Sequence, residues 1–215
     1  MTSNITSPAA ESSTHSSPLA LKPTKRWRVV DIVVASVIAV ASAVVFVAWN
    51  YAHDGVTDPL KALLPGLQAL DGGMWLFPGV LVALIVRKPG AAFFGAFVSA
   101  AISALWPNPY GATVVLSGVI QGVGTELVFL LFLYSSWRVW VAVLAGIGAG
   151  IAKAAFELVV WYPGADSLFM VVYVVGSIVS GAVIAGFLSW LAMRGLAKTG
   201  ALDRFASGRE ITVRV

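Results

Sequence analysis

The run TVVLSGVIQGVGTELVFLLFLY (113–134) and the run VAVLAGIGAGIAKAAFELVVW (141–161) decide what kind of molecule this is. Each is about as long as the 17–25 mostly apolar residues needed to cross a hydrocarbon core of roughly 30 Å, yet each holds a glutamate, Glu126 and Glu157. An ionisable side chain at the bilayer centre costs roughly 2.5–3.5 kcal/mol on insertion scales, so such residues normally face a polar cavity or a partner. The two carboxylates therefore point to a ligand, an ion or a relay.

Working outward, 59% of the 215 residues are hydrophobic and only 11% charged, against about 25% charged in a soluble domain. An all-helical integral membrane bundle is expected, with six spans at 29–50, 72–86, 91–106, 113–134, 139–162 and 167–193. Residues 1–26, rich in Ser, Thr and Pro, read as a disordered cytoplasmic tail, 27–195 as the membrane domain and 196–215 as a C-terminal cytoplasmic tail. Ala41-Ser42-Ala43 imitates a signal-peptide cleavage site, but apolar residues continue to Trp49, so an uncleaved span is expected. There is no cysteine, which excludes disulfides and thiolate metal sites.

All but two of the 14 Lys and Arg fall on one side of a six-span arrangement; Lys61 lies opposite and Lys153 within a span. The positive-inside rule then puts both termini of this multi-pass chain in the cytoplasm. The opposite connections carry Asp54, Asp58, Asp71 and Asp166, an acidic mouth suited to a cationic solute. The net charge of +4 is thus a matter of topology, not of nucleic acid.

Polar residues in the later spans recur at helical spacing. Ser117, Gln121 and Thr125 form one strip and Gly118, Gly122 and Glu126 its neighbour, so this face must turn inward. Lys153 and Glu157 stand four residues apart and can pair on one face, with Trp161 one turn further on. Tyr173 and Ser177 mark a similar face in the last span. Gln121 and Lys153 fall at the same depth, nearer the acidic side, with Glu126 deeper as the floor of a site or a structural residue beneath it. Trp75, Trp106, Asn108, Tyr110 and Tyr162 surround the mouth. Carboxylates, an amide and ring faces together suit a flat, cationic or amine-bearing heteroaromatic solute.

The segment 51–71, with LKALLPGLQAL at 60–70, reads as an interfacial or cavity-capping piece, and His53 within it as a solvated loop residue. Ala35, Ala39 and Ala43 form a smooth strip on the first span that admits close approach of another helix, either in this chain or in a separate membrane subunit. The sequence has no GxxxxGK[ST] phosphate loop, no H-E-x-x-H and no nucleophile elbow, so no catalytic role, metal or cofactor is expected.

The RKPGAA turn (87–92) and SGVIQGVGTELVF (117–129) in a six-span chain resemble the YkoE family of substrate-binding S components of energy-coupling-factor (ECF) transporters. The resemblance covers roughly residues 27–195 and implies a membrane receptor that binds thiamine or its hydroxymethylpyrimidine precursor from outside. It further implies delivery through a transmembrane coupling subunit and two ATPase subunits, with ATP used by those partners. On this reading Glu126 or Glu157 meets the ligand, Gln121 orients it, and Ala35, Ala39 and Ala43 meet the coupling subunit. Phe94-Gly95-Ala96-Phe97 lacks a carboxylate often found there in the family, and Tyr110-Gly111 replaces a Trp-Gly, which moves weight onto Glu157 and Tyr110. A stand-alone proton- or cation-coupled transporter with Glu126, Lys153 and Glu157 as relay is the alternative.

Overall fold

The computed structural model describes residues 25–108 and 110–212. Helix α1 spans Val29–Leu63, followed by a 3-10 turn at Leu67–Asp71, then α2 (Gly73–Val86), α3 (Ala91–Ser103), α4 (Thr113–Leu131) and α5 (Val139–Val160). A last rod starts as α6 (Ser167–Ser180), passes through a π-helical stretch at Gly181–Leu188, and ends as α7 (Ser189–Lys198), with α8 (Ala206–Thr212) folding back. Among the described residues five helical segments are long and apolar enough to cross a membrane, and Ala91–Ser103 is a further, shorter apolar helix. The outward faces are apolar too: Val37 is 62% exposed, Leu131 79% and Val159 75%, as lipid-facing side chains should be.

The clearest departure from expectation is α1. It does not stop near Asn50 but continues to Leu63, through Pro59. At about 1.5 Å per residue it is long enough to overreach a hydrocarbon core of roughly 30 Å by several turns. Nothing in YAHDGVTD breaks a helix, and Asp31 secures its beginning by accepting from the backbone N–H of Arg28 at 2.7 Å. The segment 1–24, read as disordered, lies outside the described residues.

Helix α2 is apolar all round and consequently sits in the middle. Leu76, Val80, Val82, Leu84 and Ile85 are each at most 2% exposed, enclosed by α1, α3, α5 and the last rod. Small residues let the backbones approach. A methyl on Gly124 would lie 2.6 Å from both the Gly148 carbonyl and the Ala152 Cβ, and one on Gly146 would strike the Gly181 carbonyl where α5 crosses the π-helical stretch.

The strip Ala35, Ala39 and Ala43 is used inside this bundle. Exposures of 0%, 0% and 1% leave it no free surface, and α1 lies chiefly against α3 and α2. These alanines are packed within the chain in this conformation, and the exposed α1 face carries Val29, Val33, Val37, Val40 and Val44. In lipid, the same small-residue spacing serves an internal or an external neighbour equally well.

Two ends of the bundle differ. At one, the start of α1, the α2–α3 turn, the α4–α5 link and α7–α8 come together: Lys88 pairs with the buried Asp31, Arg87 with Glu210 at 2.8 Å, and Ser207 donates to the Ile85 carbonyl at 3.1 Å. The C-terminal segment is thereby docked, with Leu202 and Phe205 buried. At the other end the extension of α1, the 3-10 turn, the α3–α4 strap and the end of α5 surround a cavity.

Candidate functional site

The cavity holds about 130 Å³ and opens at the end of the bundle away from the Arg87 turn. One wall is α1, whose Asn50, His53, Thr57 and Lys61 follow at three- and four-residue spacing and so project on one side. The 3-10 turn adds Gln68 and Asp71, and the start of α2 adds Trp75. Opposite stand Ser117 and Gln121 of α4, Lys153 and Glu157 of α5, and Tyr173 of α6.

Three of these form a closed polar group. Lys153 Nζ donates to Glu157 Oε2 at 2.6 Å and to Tyr173 Oη at 3.3 Å, while Tyr173 Oη donates to the same Glu157 oxygen at 2.5 Å. The four-residue spacing on α5 sets the ion pair, and both side chains are nearly buried, at 5% and 6% exposure. Both of these bonds to Glu157 fall on its Oε2, and Glu157 also lines the cavity. Beside them Gln121 Nε2 donates to Ser117 Oγ at 2.6 Å.

A second carboxylate, Asp71, lines the same cavity. Asp71 is 3.9 Å from Nδ1 of His53, whose Nε2 is 3.5 Å from Asp54. His53 is buried, at 8%, with its ring edge-on to Trp75 at 5.7 Å. This corrects the reading of His53 as solvated: the continuing helix turns it inward. Trp75 Nε1 in turn donates to Asn50 Oδ1 at 3.2 Å.

Aromatic rings complete the mouth. Tyr110 of the α3–α4 strap stacks on Trp161 at 4.8 Å and 17°, and Tyr162 lies 5.2 Å from Tyr173. Burial, and after it the negative charges of Asp71 and Glu157, push the Tyr110 phenol above its ordinary pKa, so it remains a neutral hydrogen-bond donor. The combination of ring faces with two carboxylates can stack a flat heteroaromatic and accept from its amino group or balance its positive charge. Among the described residues no group of three His, Asp or Glu could hold a metal ion.

Of the residues singled out from the sequence, Gln121, Glu157, Trp75, Tyr110, Trp161 and Tyr162 line this cavity. Trp106, Asn108 and Glu126 do not. Trp106 is half exposed, and Asn108 shapes the strap by donating to the Trp106 carbonyl and accepting from the Tyr110 N–H. Asp71, read from the sequence as part of an acidic mouth, lines the cavity; missing from the sequence reading were His53, Asn50 and Thr57, for which the signal was the spacing of 46, 50, 53, 57 and 61 on one helical face.

Glu126 lies at the other end, in a knot around the RKPG turn. It accepts from the backbone N–H groups of Gly90 at 2.6 Å, Ala92 at 2.9 Å and Phe93 at 3.2 Å, and from Tyr134 Oη at 2.6 Å. These N–H groups open α3, where helices lack internal acceptors and an anion is favoured. Gly90, at φ +84°, takes the left-handed conformation the turn needs. Gly122 brings α4 near enough for Glu126 to reach, since a methyl there would lie 3.0 Å from Phe93 Cα. Trp27 Nε1 donates to the Pro89 carbonyl at 2.9 Å and Lys88 to the Arg26 carbonyl, tying the entry of α1 to the same turn. The two motifs RKPGAA and QGVGTE thus meet each other in space.

Comparison with known proteins agrees with this architecture. The family model described as "ABC-type cobalt transport system, permease component" matches residues 30–152. The chain is 33% identical over 191 residues to the Bacillus subtilis (strain 168) protein named "Putative HMP/thiamine permease protein YkoE", covering 87% of this chain and 93% of that one. A structure described as "Crystal structure of an S-component of ECF transporter" is similar with a TM-score of 0.81 and 31% identity, over 88% of this chain and 95% of the other. With matches of this extent in both sequence and structure, the chain belongs to the YkoE family of substrate-binding S components of ECF transporters, as a multi-pass membrane protein.

Proposed function

We propose that this S component captures hydroxymethylpyrimidine or thiamine in the cavity between α1, α4, α5 and the α3–α4 strap. The observation that carries this reading is that Glu157 and Asp71 line one cavity together with Tyr110, Trp161 and Trp75. An aminopyrimidine stacks on such rings and donates to a carboxylate, and a thiazolium is balanced by one. The name carried by the Bacillus subtilis relative supports the choice of ligand. Glu157, held by Lys153 and Tyr173, is the fixed acceptor, Gln121 sets orientation, and Asp71 with His53 completes the charge.

In this reading the chain crosses the membrane six times, with Ala91–Ser103 as the short third span and both termini in the cytoplasm. The gathering of Arg87, Lys88, Arg138, Arg194 and Lys198 at the end opposite the cavity supports that orientation. Release to the cytoplasm is driven by partners, a transmembrane coupling subunit and two ATPase subunits, and the chain needs no cofactor of its own. Proteoliposomes loaded with ATP test this: uptake of labelled hydroxymethylpyrimidine should require the coupling and ATPase subunits. Uptake by the chain alone under a pH gradient would replace this reading with a secondary transporter.

A further inference from the structure

A second recess lies at the basic end, far from the ligand cavity, where the α4–α5 link meets α7 and α8. It holds about 700 Å³. Among the described residues four cations line it, Arg87, Arg138, Arg194 and Lys198, against one carboxylate, Glu210. That carboxylate is engaged with Arg87 at 2.8 Å, so the recess keeps a positive surplus on Arg138, Arg194 and Lys198.

Its other lining is aromatic. Trp137, Trp140 and Trp190 stand around it, with the Arg194 guanidinium 4.7 Å over the Trp190 ring and the Arg87 guanidinium 5.7 Å over Trp137. Indole rings settle at the level of lipid headgroups, where their ring and N–H meet apolar and wet surroundings at once. Shortly before Ser135 of the recess the chain exposes Leu131 (79%) and Leu133 (71%), and α7, which supplies Met193, Arg194 and Lys198, exposes Leu191 (43%). A cationic hollow at headgroup depth, flanked by open apolar surface, matches an amphiphile with an anionic head.

We propose that this recess binds the phosphate of an anionic phospholipid headgroup, with Arg138, Arg194 and Lys198 holding the phosphate and the leucines meeting its acyl chains. Guanidinium groups bind phosphate oxygens in pairs, and one already laid on an indole is partly ordered for the task. Basic hollows between membrane helices are established places for such headgroups. A free phosphate ion shares the polar chemistry but makes no use of the leucines. The site is independent of the ligand cavity and would fix the tilt and depth of the basic end in the bilayer.

The test uses the full chain in nanodiscs of phosphatidylcholine containing a minority of phosphatidylglycerol, released into native mass spectrometry. Phosphatidylglycerol should be retained above its bulk share, and Arg138→Gln/Arg194→Gln/Lys198→Gln should reduce that retention by at least about tenfold. Brominated phosphatidylglycerol should quench tryptophan fluorescence in the unaltered protein more than brominated phosphatidylcholine does, a readout that stands even if the triple variant fails to fold. Equal retention and equal quenching of the two lipids would overturn the proposal. Complete displacement of phosphatidylglycerol by inorganic phosphate would assign the recess to a free anion instead. Selective retention seen only with a coupling subunit present would make it a protein interface.

Discussion

Replacing Glu126 by Gln separates the two membrane glutamates by what each does. The carboxylate serves four donors through two oxygens: Gly90 N–H and Tyr134 Oη reach Oε1, while Ala92 and Phe93 N–H reach Oε2. A glutamine keeps one acceptor oxygen for Ala92 and Phe93 N–H and turns its NH2 toward Tyr134, whose hydroxyl can rotate to accept, and toward Gly90, so one bond is lost and N–H faces the Gly90 N–H. Hydrogen bonds to a charged group are worth about 1.5–3 kcal/mol each, so the lost bond and the weaker neutral acceptor left to the others come to roughly 3 kcal/mol together. Loss of the anion at the start of α3 adds up to about 1 kcal/mol. For a chain of this size that is a fall of roughly 6–15 °C in unfolding midpoint, readable by thermal unfolding of purified protein in detergent. Because Glu126 does not line the cavity, ligand affinity below that midpoint should stay within about twofold. A midpoint unchanged by the substitution, together with affinity lowered tenfold or more, would refute the assignment of Glu126 to the α3 cap.

Other outcomes follow from the same geometry. Glu157→Gln leaves buried Lys153 without its carboxylate and should lower stability by about 3–5 kcal/mol, whereas Lys153→Met/Glu157→Gln should regain most of it; if thermal unfolding shows the double variant no more stable than the single, the pair is not the coupled unit described. Ala39→Leu forces a larger side chain into a position with 0% exposure and should cost the isolated chain about 1–3 kcal/mol; a normal unfolding midpoint combined with failed assembly would instead return the alanine strip to a docking role. Tyr110→Leu removes the ring stacked 4.8 Å from Trp161 and should weaken ligand binding about twofold to tenfold while lowering the unfolding midpoint by only about 1–6 °C; unchanged affinity would take the stack out of the site.

What could be read in advance was whatever lies within one helix. Lys153, Glu157 and Trp161 share a face by spacing alone, as do Ser117 and Gln121, and all five lie where that spacing puts them. What could not be read depended on contacts between distant segments. Glu126 looked like a ligand carboxylate because its partners, the N–H groups of residues 90, 92 and 93, carry no sequence signal of acceptor need beyond the start of a helix. His53 was read as solvated because hydropathy falls after Asn50 while the helix does not end there. Hydropathy reports where the bilayer stops, and backbone propensity decides where the helix does. The alanine strip had two physically equivalent partners, and only the packing of α1 on α3 chose between them.

The central claim is that the cavity bounded by Glu157, Asp71, Tyr110 and Trp161 receives a thiamine-related heterocycle. Equilibrium titration of the purified chain with hydroxymethylpyrimidine, thiamine and close analogues, followed by tryptophan fluorescence, tests it directly, since Trp75 and Trp161 line the site. Saturable quenching by one of these ligands, much weakened in Glu157→Gln or Asp71→Asn kept below its unfolding midpoint, is the predicted result. No quenching by any of them, or quenching that both variants leave intact, would contradict the account.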